Sequence, residues 1–225
     1  MTTALLVVAT SRYLRFVEPL LESMRRHFHP TDRTEMVVFT DSPHVPDGVV
    51  RVQETHTPWP DGTMLRYHMF ARAAALLRQF DYLYCCDADM RIVGDVGPEI
   101  LGDRVATLHP GFFRARRRTF PYETRPASCA YISRDEGHWY FAGGFNGGRA
   151  NAFLDAAQTI QRMVDDDRTR GITAVWHDES YLNRTLCNRP PSLVLSPSYC
   201  YPESASLSLP AKILALDKAH AEMRR

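Results

Sequence analysis

Long apolar runs are missing from this chain. The N-terminal stretch MTTALLVVATSRY offers about six apolar residues before polar ones, too few for a membrane span, and it lacks the basic segment of a secretory leader. It is expected to form a first strand, and no transmembrane segment is expected. An excess of either charge is missing too. With 27 Lys plus Arg against 26 Asp plus Glu, the net charge is +1, which excludes the strong overall field of a nucleic-acid binder but leaves room for a local basic patch. Paired cysteine spacing is also absent. Cys85, Cys86, Cys129, Cys187 and Cys200 are odd in number, show no C-x-x-C and include an adjacent pair unsuited to a structural bridge. Reduced thiols and a cytoplasmic location are expected. No internal repeat, low-complexity tract or linker composition divides the chain.

What is present suits one domain of 225 residues with its own core, at 44% apolar and 24% charged residues. Short apolar or β-branched runs bounded by turn residues mark strands at 4–10, 35–41, 49–55, 82–87, 104–110 and 192–196. Between them lie three stripes at helical spacing: Tyr13 to Phe28, where Pro19 places the start of the regular helix close by; Leu65 to Phe80; and Phe153 to Val164. Strands alternating with amphipathic helices predict an α/β fold with a mixed, mostly parallel sheet covered on both faces.

Ligands in such sheets gather at the carboxyl ends of the strands. The run YLYCCDADM ends there on Asp87 and Asp89. Strand period two points residues i and i+2 to one side, so both carboxylates can share a hard divalent cation whose other positions go to water or phosphate. The same pair also reads as a turn cap beside a solvated charge. Two further segments carry double readings. In YFAGGFNGGRANAF, Gly143, Gly144, Gly147 and Gly148 permit close backbone approach to a ligand, or simply a tight turn before a helix. They do not match the dinucleotide-binding G-x-G-x-x-G. In AVWHDESYLN, Asp178 and Glu179 suit a helix N-terminus, with Asp178 as cap. Glu179 equally suits a carboxylate facing the anomeric carbon of a sugar stacked on Trp176.

Taken in order, VVFTD (37–41), DYLYCCDADM (81–90), TLHPGFF (107–113), AYISRDEGHWYFAGGFNGG (130–148), AVWHDESYLN (174–183), VLSPSY (194–199) and DKAHAEMR (217–224) resemble glycosyltransferase family six, retaining transferases that use UDP-sugars. The resemblance covers nearly the whole chain. It implies a GT-A fold that transfers galactose or N-acetylgalactosamine in α-1,3 linkage to a galactose-containing acceptor. On that pattern Ala9, Thr10 and Tyr13 contact uracil and ribose, and Arg66 approaches the donor near Asp87. Asp87, Ala88 and Asp89 sit at the diphosphate, the two aspartates holding manganese, with magnesium as a substitute. Asp178 binds donor hydroxyls, and Ala142, Gly143 and Gly144 choose the donor sugar, their small size favouring UDP-GalNAc over UDP-Gal. Lys218 and Arg224 belong to a mobile tail, 216–225, that closes over the phosphates and keeps water from the donor. His109, Trp176 and Glu179 meet the acceptor galactose, and Glu179 is the catalytic carboxylate.

Two departures concern the acceptor. In SPSYCYPE, Pro202 replaces an acidic residue, with Glu203 next to it, and Pro121 stands where some members carry threonine. The competing class is a non-catalytic carbohydrate-binding module on the same fold, which has no need of Asp87, Asp89 and Glu179 together. A D-x-D-x-T phosphohydrolase is disfavoured because Arg91 occupies the threonine position.

Overall fold

In a computed structural model of the protein, which describes residues 1–218, the strands are β1 Thr2–Val8, β2 Arg33–Thr40, β3 Val49–Gln53, β4 Tyr82–Cys86, β5 Met90–Ile92, β6 Arg104–Leu108, β7 Phe141–Arg149, β8 Leu193–Leu195, β9 Tyr201–Pro202 and β10 Ile213–Ala215. The helices are α1 Val17–His27, α2 Asp61–Met64, α3 Arg66–Arg72, α4 Ala74–Leu77, α5 Ala150–Thr169 and α6 Asp178–Asn188. The main sheet runs β3-β2-β1-β4-β7-β6-β8, and only β7 lies antiparallel to its neighbours. A small sheet, β5-β10-β9, sits beside it.

The central strands read as unbroken apolar runs because both faces are covered. Side chains alternate between two cores. Ala4, Leu6, Val37, Phe39, Leu83 and Cys85 join residues of α3, α5 and α6, whereas Leu5, Val7, Met36, Val38, Tyr82 and Tyr84 join α1 and the small sheet. The three helical stripes hold. The first opens as a 3-10 segment, Ser11–Phe16, before α1 takes over at Val17. The second is divided at Ala73 into α3 and α4, with the short α2 just before it, although the amide of Ala73 still bonds to Met69 O and that of Leu77 to Ala73 O.

The glycine segment is corrected: it is not a turn but strand β7, in the middle of the sheet. Glycine is a poor strand former, so packing must supply the reason. A Cβ on Gly147 would lie 2.8 Å from Tyr84 Cα and closer still to the Leu83 carbonyl oxygen, so β4 and β7 can meet only if that position is bare. Gly147→Ala is therefore expected to destabilise the protein by about 1–3 kcal/mol through overpacking against backbone. Thermal unfolding checks this, and an unchanged melting temperature would contradict it.

β7 also carries a bulge. Asn146 pairs with Ala106 but Ala142 pairs with Thr107, so Gly143, Gly144 and Phe145 swing away from β6. Bulges of this kind re-aim backbone groups beside functional sites.

Candidate active site

Asp87 and Asp89 follow β4 and flank the buried Ala88. The amide of Asp87 donates to Gly144 O at 2.9 Å, which anchors the loop to the β7 bulge. Its carboxylate, about a third exposed at 32%, accepts from Arg66 Nη1 at 2.7 Å. Arg66 opens α3 and is shared. Its Nε lies 3.0 Å from Asp178 Oδ2, close enough for an ion pair although not aligned as a hydrogen bond. Asp89 pairs with Lys218, one of two lysines in the chain, and the Lys218 ammonium also stands over the Tyr13 ring at 5.1 Å.

These cations separate the two aspartates electrostatically. Burial favours the neutral form of Asp87, but Arg66 and then Lys218 outweigh it and hold that carboxyl below its ordinary value. Asp89 goes the other way. Burial and the charge of Asp87 raise it, with Lys218 opposing. Burial also works against the charge on Arg66, and Asp178 and Asp87 more than offset it. Asp178 is pushed up to about 6, mainly by burial, with Arg66 pulling it down.

Glu179 lies in the first turn of α6. The preceding His177 has φ +50°, an uncommon conformation for a residue with a side chain, and turns the chain into the helix. Asp178 is thus the first helical residue and not the cap. Its carboxylate is committed to Arg66. The two oxygens of Glu179 are each held: Oε1 accepts from the Tyr140 hydroxyl and Oε2 from the Gly143 amide, both at 2.7 Å. Burial pushes Glu179 up to about 7, with those two hydrogen bonds opposing and Asp178 adding to the rise. Asn183, one turn on, accepts from the Phe141 amide and donates to the carbonyls of Phe141 and Glu179, which fastens α6 to β7. Gly143 holds Glu179 and Gly144 holds Asp87. One bulge therefore sets the spacing of both acidic centres.

A cavity of about 280 Å³ brings together Thr10, Tyr13, Arg66, Asp87, Ala88, Asp89 and Lys218. The sequence reading missed its other walls: His56, Thr57, Trp59, Thr63 and His177. Thr10 Oγ1 lies 3.0 Å from His56 Nδ1, a link across 46 residues that no local signal announces. Thr57 Oγ1 is buried without a hydrogen-bond partner among the described residues. Tyr140 and Asn183 were likewise not singled out, since their role depends on contact with Glu179.

Ala9 is elsewhere. It is fully buried and does not line the cavity, and its amide is given to Phe39 O. Ala142 is buried as well, and the space beside Gly144 is filled by Met90 and Cys200, so these small residues serve close packing here. His109 is pushed down to about 4 by burial, and its Nδ1 accepts from the Gly111 amide. It packs on Tyr140 at 5.5 Å, near Glu179. Trp176 is half exposed, and its amide donates to Ser180 Oγ. Glu203, next to Pro202, accepts from the Asp217 amide at 2.9 Å. Arg224 lies outside the described residues.

The donor set at Asp87 and Asp89 is two hard carboxylate oxygens on one loop. Among the described residues, no cluster of three or more His, Cys, Asp or Glu forms a complete cage. A pair of this kind suits a hard cation that completes its shell with phosphate and water. Among the same residues, no helix is long and apolar enough to cross a membrane.

A family model described as Glycosyltransferase family 6 matches residues 1–224. The chain is 38% identical to histo-blood group ABO system transferase 1 of Rattus norvegicus, over 99% of this chain and 68% of that protein. It is 34% identical to globoside alpha-1,3-N-acetylgalactosaminyltransferase 1 of Homo sapiens, over 97% of this chain and 67% of that one. With the O-antigen biosynthesis glycosyltransferase WbnI of Escherichia coli it shares 29% identity over 94% of this chain and 92% of the relative.

Proposed function

The chain belongs to glycosyltransferase family 6, and from that premise we propose that it is a metal-dependent retaining α-1,3-glycosyltransferase that moves GalNAc, or in second place Gal, from a UDP-sugar to a galactose-containing glycan. The observation that carries this reading is the β7 bulge, which ties Asp87 through Gly144 and Glu179 through Gly143. A binding module has no use for a diphosphate site and a buried carboxylate fixed at one spacing. The choice of GalNAc rests on the resemblance to A-type enzymes and on the relatives named for that sugar. A cytoplasmic setting belongs to the same reading, supported by five free cysteines, all within the described residues.

Manganese, when bound by Asp87 and Asp89, supplies positive charge against the leaving UDP. The chain's own residues do the rest. Arg66 holds Asp87 ionised and oriented, and its second partner, Asp178, fixes the guanidinium. Lys218 lines the same cavity beside Asp89, and in this reading it exchanges Asp89 for phosphate oxygens of the donor. As the bond from the anomeric carbon to the UDP oxygen breaks, its electron pair leaves with UDP. The ionised Glu179 then stabilises the positive charge left on the sugar. The Tyr140 phenol, pushed well up by burial and by Glu179, stays protonated and keeps that carboxylate in place.

The reading is tested by measuring UDP release from UDP-GalNAc, UDP-Gal and UDP-GlcNAc, with manganese or chelator, with and without a lactose-type acceptor. Release from either of the first two that needs metal and rises with acceptor supports it. No release above background from any donor removes it.

A pH dependence follows. A carboxyl raised to about 7 is protonated below that value, and protonated Glu179 offers no negative charge. Transfer should therefore fall as the pH drops through about 7, and kcat/KM, which reports the free enzyme, should show that acid limb. Glu179→Gln should remove the limb near 7 and leave one no higher than about 6, where Asp178 titrates. A wild-type profile level down to pH 5 would remove Glu179 from this role.

A further inference from the structure

His177 stands at one wall of the cavity at Asp87. That residue also walls a hollow of about 450 Å³ with Val175, Tyr122 and Thr124. Tyr122 and Thr124 in turn wall a third hollow, of about 620 Å³, lined also by Arg116, Arg117, Arg118, Phe120 and Arg134. His177 is thus common to the first two linings, and Tyr122 and Thr124 to the second and third. Packed rings connect Glu179 to the third hollow: Tyr140, which bonds Glu179, packs on Tyr122, and Tyr122 on Phe120, at ring separations of 5.5 and 5.7 Å. Tyr140 is buried, so the apolar surface open to a sugar is that of Tyr122 and Phe120, which are part-exposed walls of the hollow.

The far hollow is lined by four arginines and no carboxylate. Arg117 is used internally, its Nε and Nη2 donating to Glu136 O at 2.9 and 2.6 Å. Arg116, Arg118 and Arg134 are exposed and make no ion pair among the described residues. The nearby acids are engaged: Glu136 with Arg184, and Glu123, which is buried, with Arg125. Asp135 is exposed and adjoins Arg134 in the chain. Three unpaired guanidiniums around a concavity, rather than spread among acids on a solvated face, match the fork geometry of an anion.

We infer that this arginine hollow is a remote acceptor subsite for an anionic substituent, a phosphate or a carboxylate carried on the acceptor glycan. The inference deepens the proposed transfer reaction and rests on it for which end of the acceptor faces Glu179. It makes the favoured acceptor a saccharide with an anionic group that reaches the arginine hollow, rather than a neutral one.

Binding tests it without turnover. A lactose-type saccharide, its phosphate ester and its carboxylate-bearing counterpart are titrated into the full chain by calorimetry at low salt, with and without UDP. At least one anionic form should bind about tenfold or more tightly than the neutral one, and added salt should erase the gap. Arg116→Ala, Arg118→Ala and Arg134→Ala combined should remove that advantage. Neutral-saccharide binding, acceptor-free UDP release and melting temperature should stay within about twofold or a few degrees, since the three side chains are exposed and unpaired. An advantage confined to the phosphate ester identifies a phosphate-linked acceptor, and one confined to the carboxylate identifies an acidic sugar. Equal binding of all three saccharides, or an advantage that survives the triple substitution, overturns the subsite. Failure of UDP release with every donor instead sinks the transfer reading and leaves the binding result standing.

Discussion

Glu179→Gln lowers the transfer rate by about a hundredfold or more, the effect of losing one preorganised electrostatic stabiliser. The amide keeps the shape of the side chain and can still accept from Tyr140 or from Gly143, so the loss is one of charge. The wild-type carboxylate is held by two hydrogen bonds of 2.7 Å in a buried setting where water does not screen it. Its influence on a developing positive charge is correspondingly large. Initial rates of transfer at pH 8, where the wild-type carboxyl is ionised, measure the effect. A variant that retains most of the rate would move the catalytic role to Asp178 or to the donor's own phosphate. Stability should not fall with it, because a neutral amide is cheaper to bury than a charge.

Asp87→Asn reduces transfer by about a hundredfold to a thousandfold and weakens the response to manganese. Here two losses combine. The substitution removes one of two carboxylates available to the cation, and it leaves Arg66 with Asp178 as its one ion-pair partner among the described residues. Asp89, relieved of a neighbouring charge that now raises it, ionises more readily and pairs more firmly with Lys218. That strengthens the competitor for the diphosphate. Manganese titrations of the rate, alongside electron paramagnetic resonance of free manganese with UDP present, separate loss of metal from loss of chemistry. An unaltered rate and metal response would contradict the bridging role.

The main strands and helices were readable because the period of the apolar residues differs between them and each element is long enough to display it. β7 was not. Its residues FAGGFNGGR have the composition of a turn, and only the close approach of β4 at Gly147 explains why glycine stands in a central strand. The strands β5, β9 and β10 escaped for a different reason: at two or three residues they are too short to carry a period. The acidic residues of the site were legible as motifs, yet each motif kept a bland alternative. Asp178 makes the point, since its position favours a helix cap and its burial beside Arg66 gives it another task.

Residue order alone determined the α/β class, the family and the identity of the acidic groups, since these depend on local periodicity and on short patterns whose chemistry is carried in the residue types. Folding decided what those groups can do. The raised value of Glu179, the division of labour between Asp87 and Asp89, and the walls contributed by His56, Trp59 and His177 arise from burial and from contacts between segments far apart in the chain. Desolvation and Coulomb interactions act through space, so no reading along the chain could have supplied them.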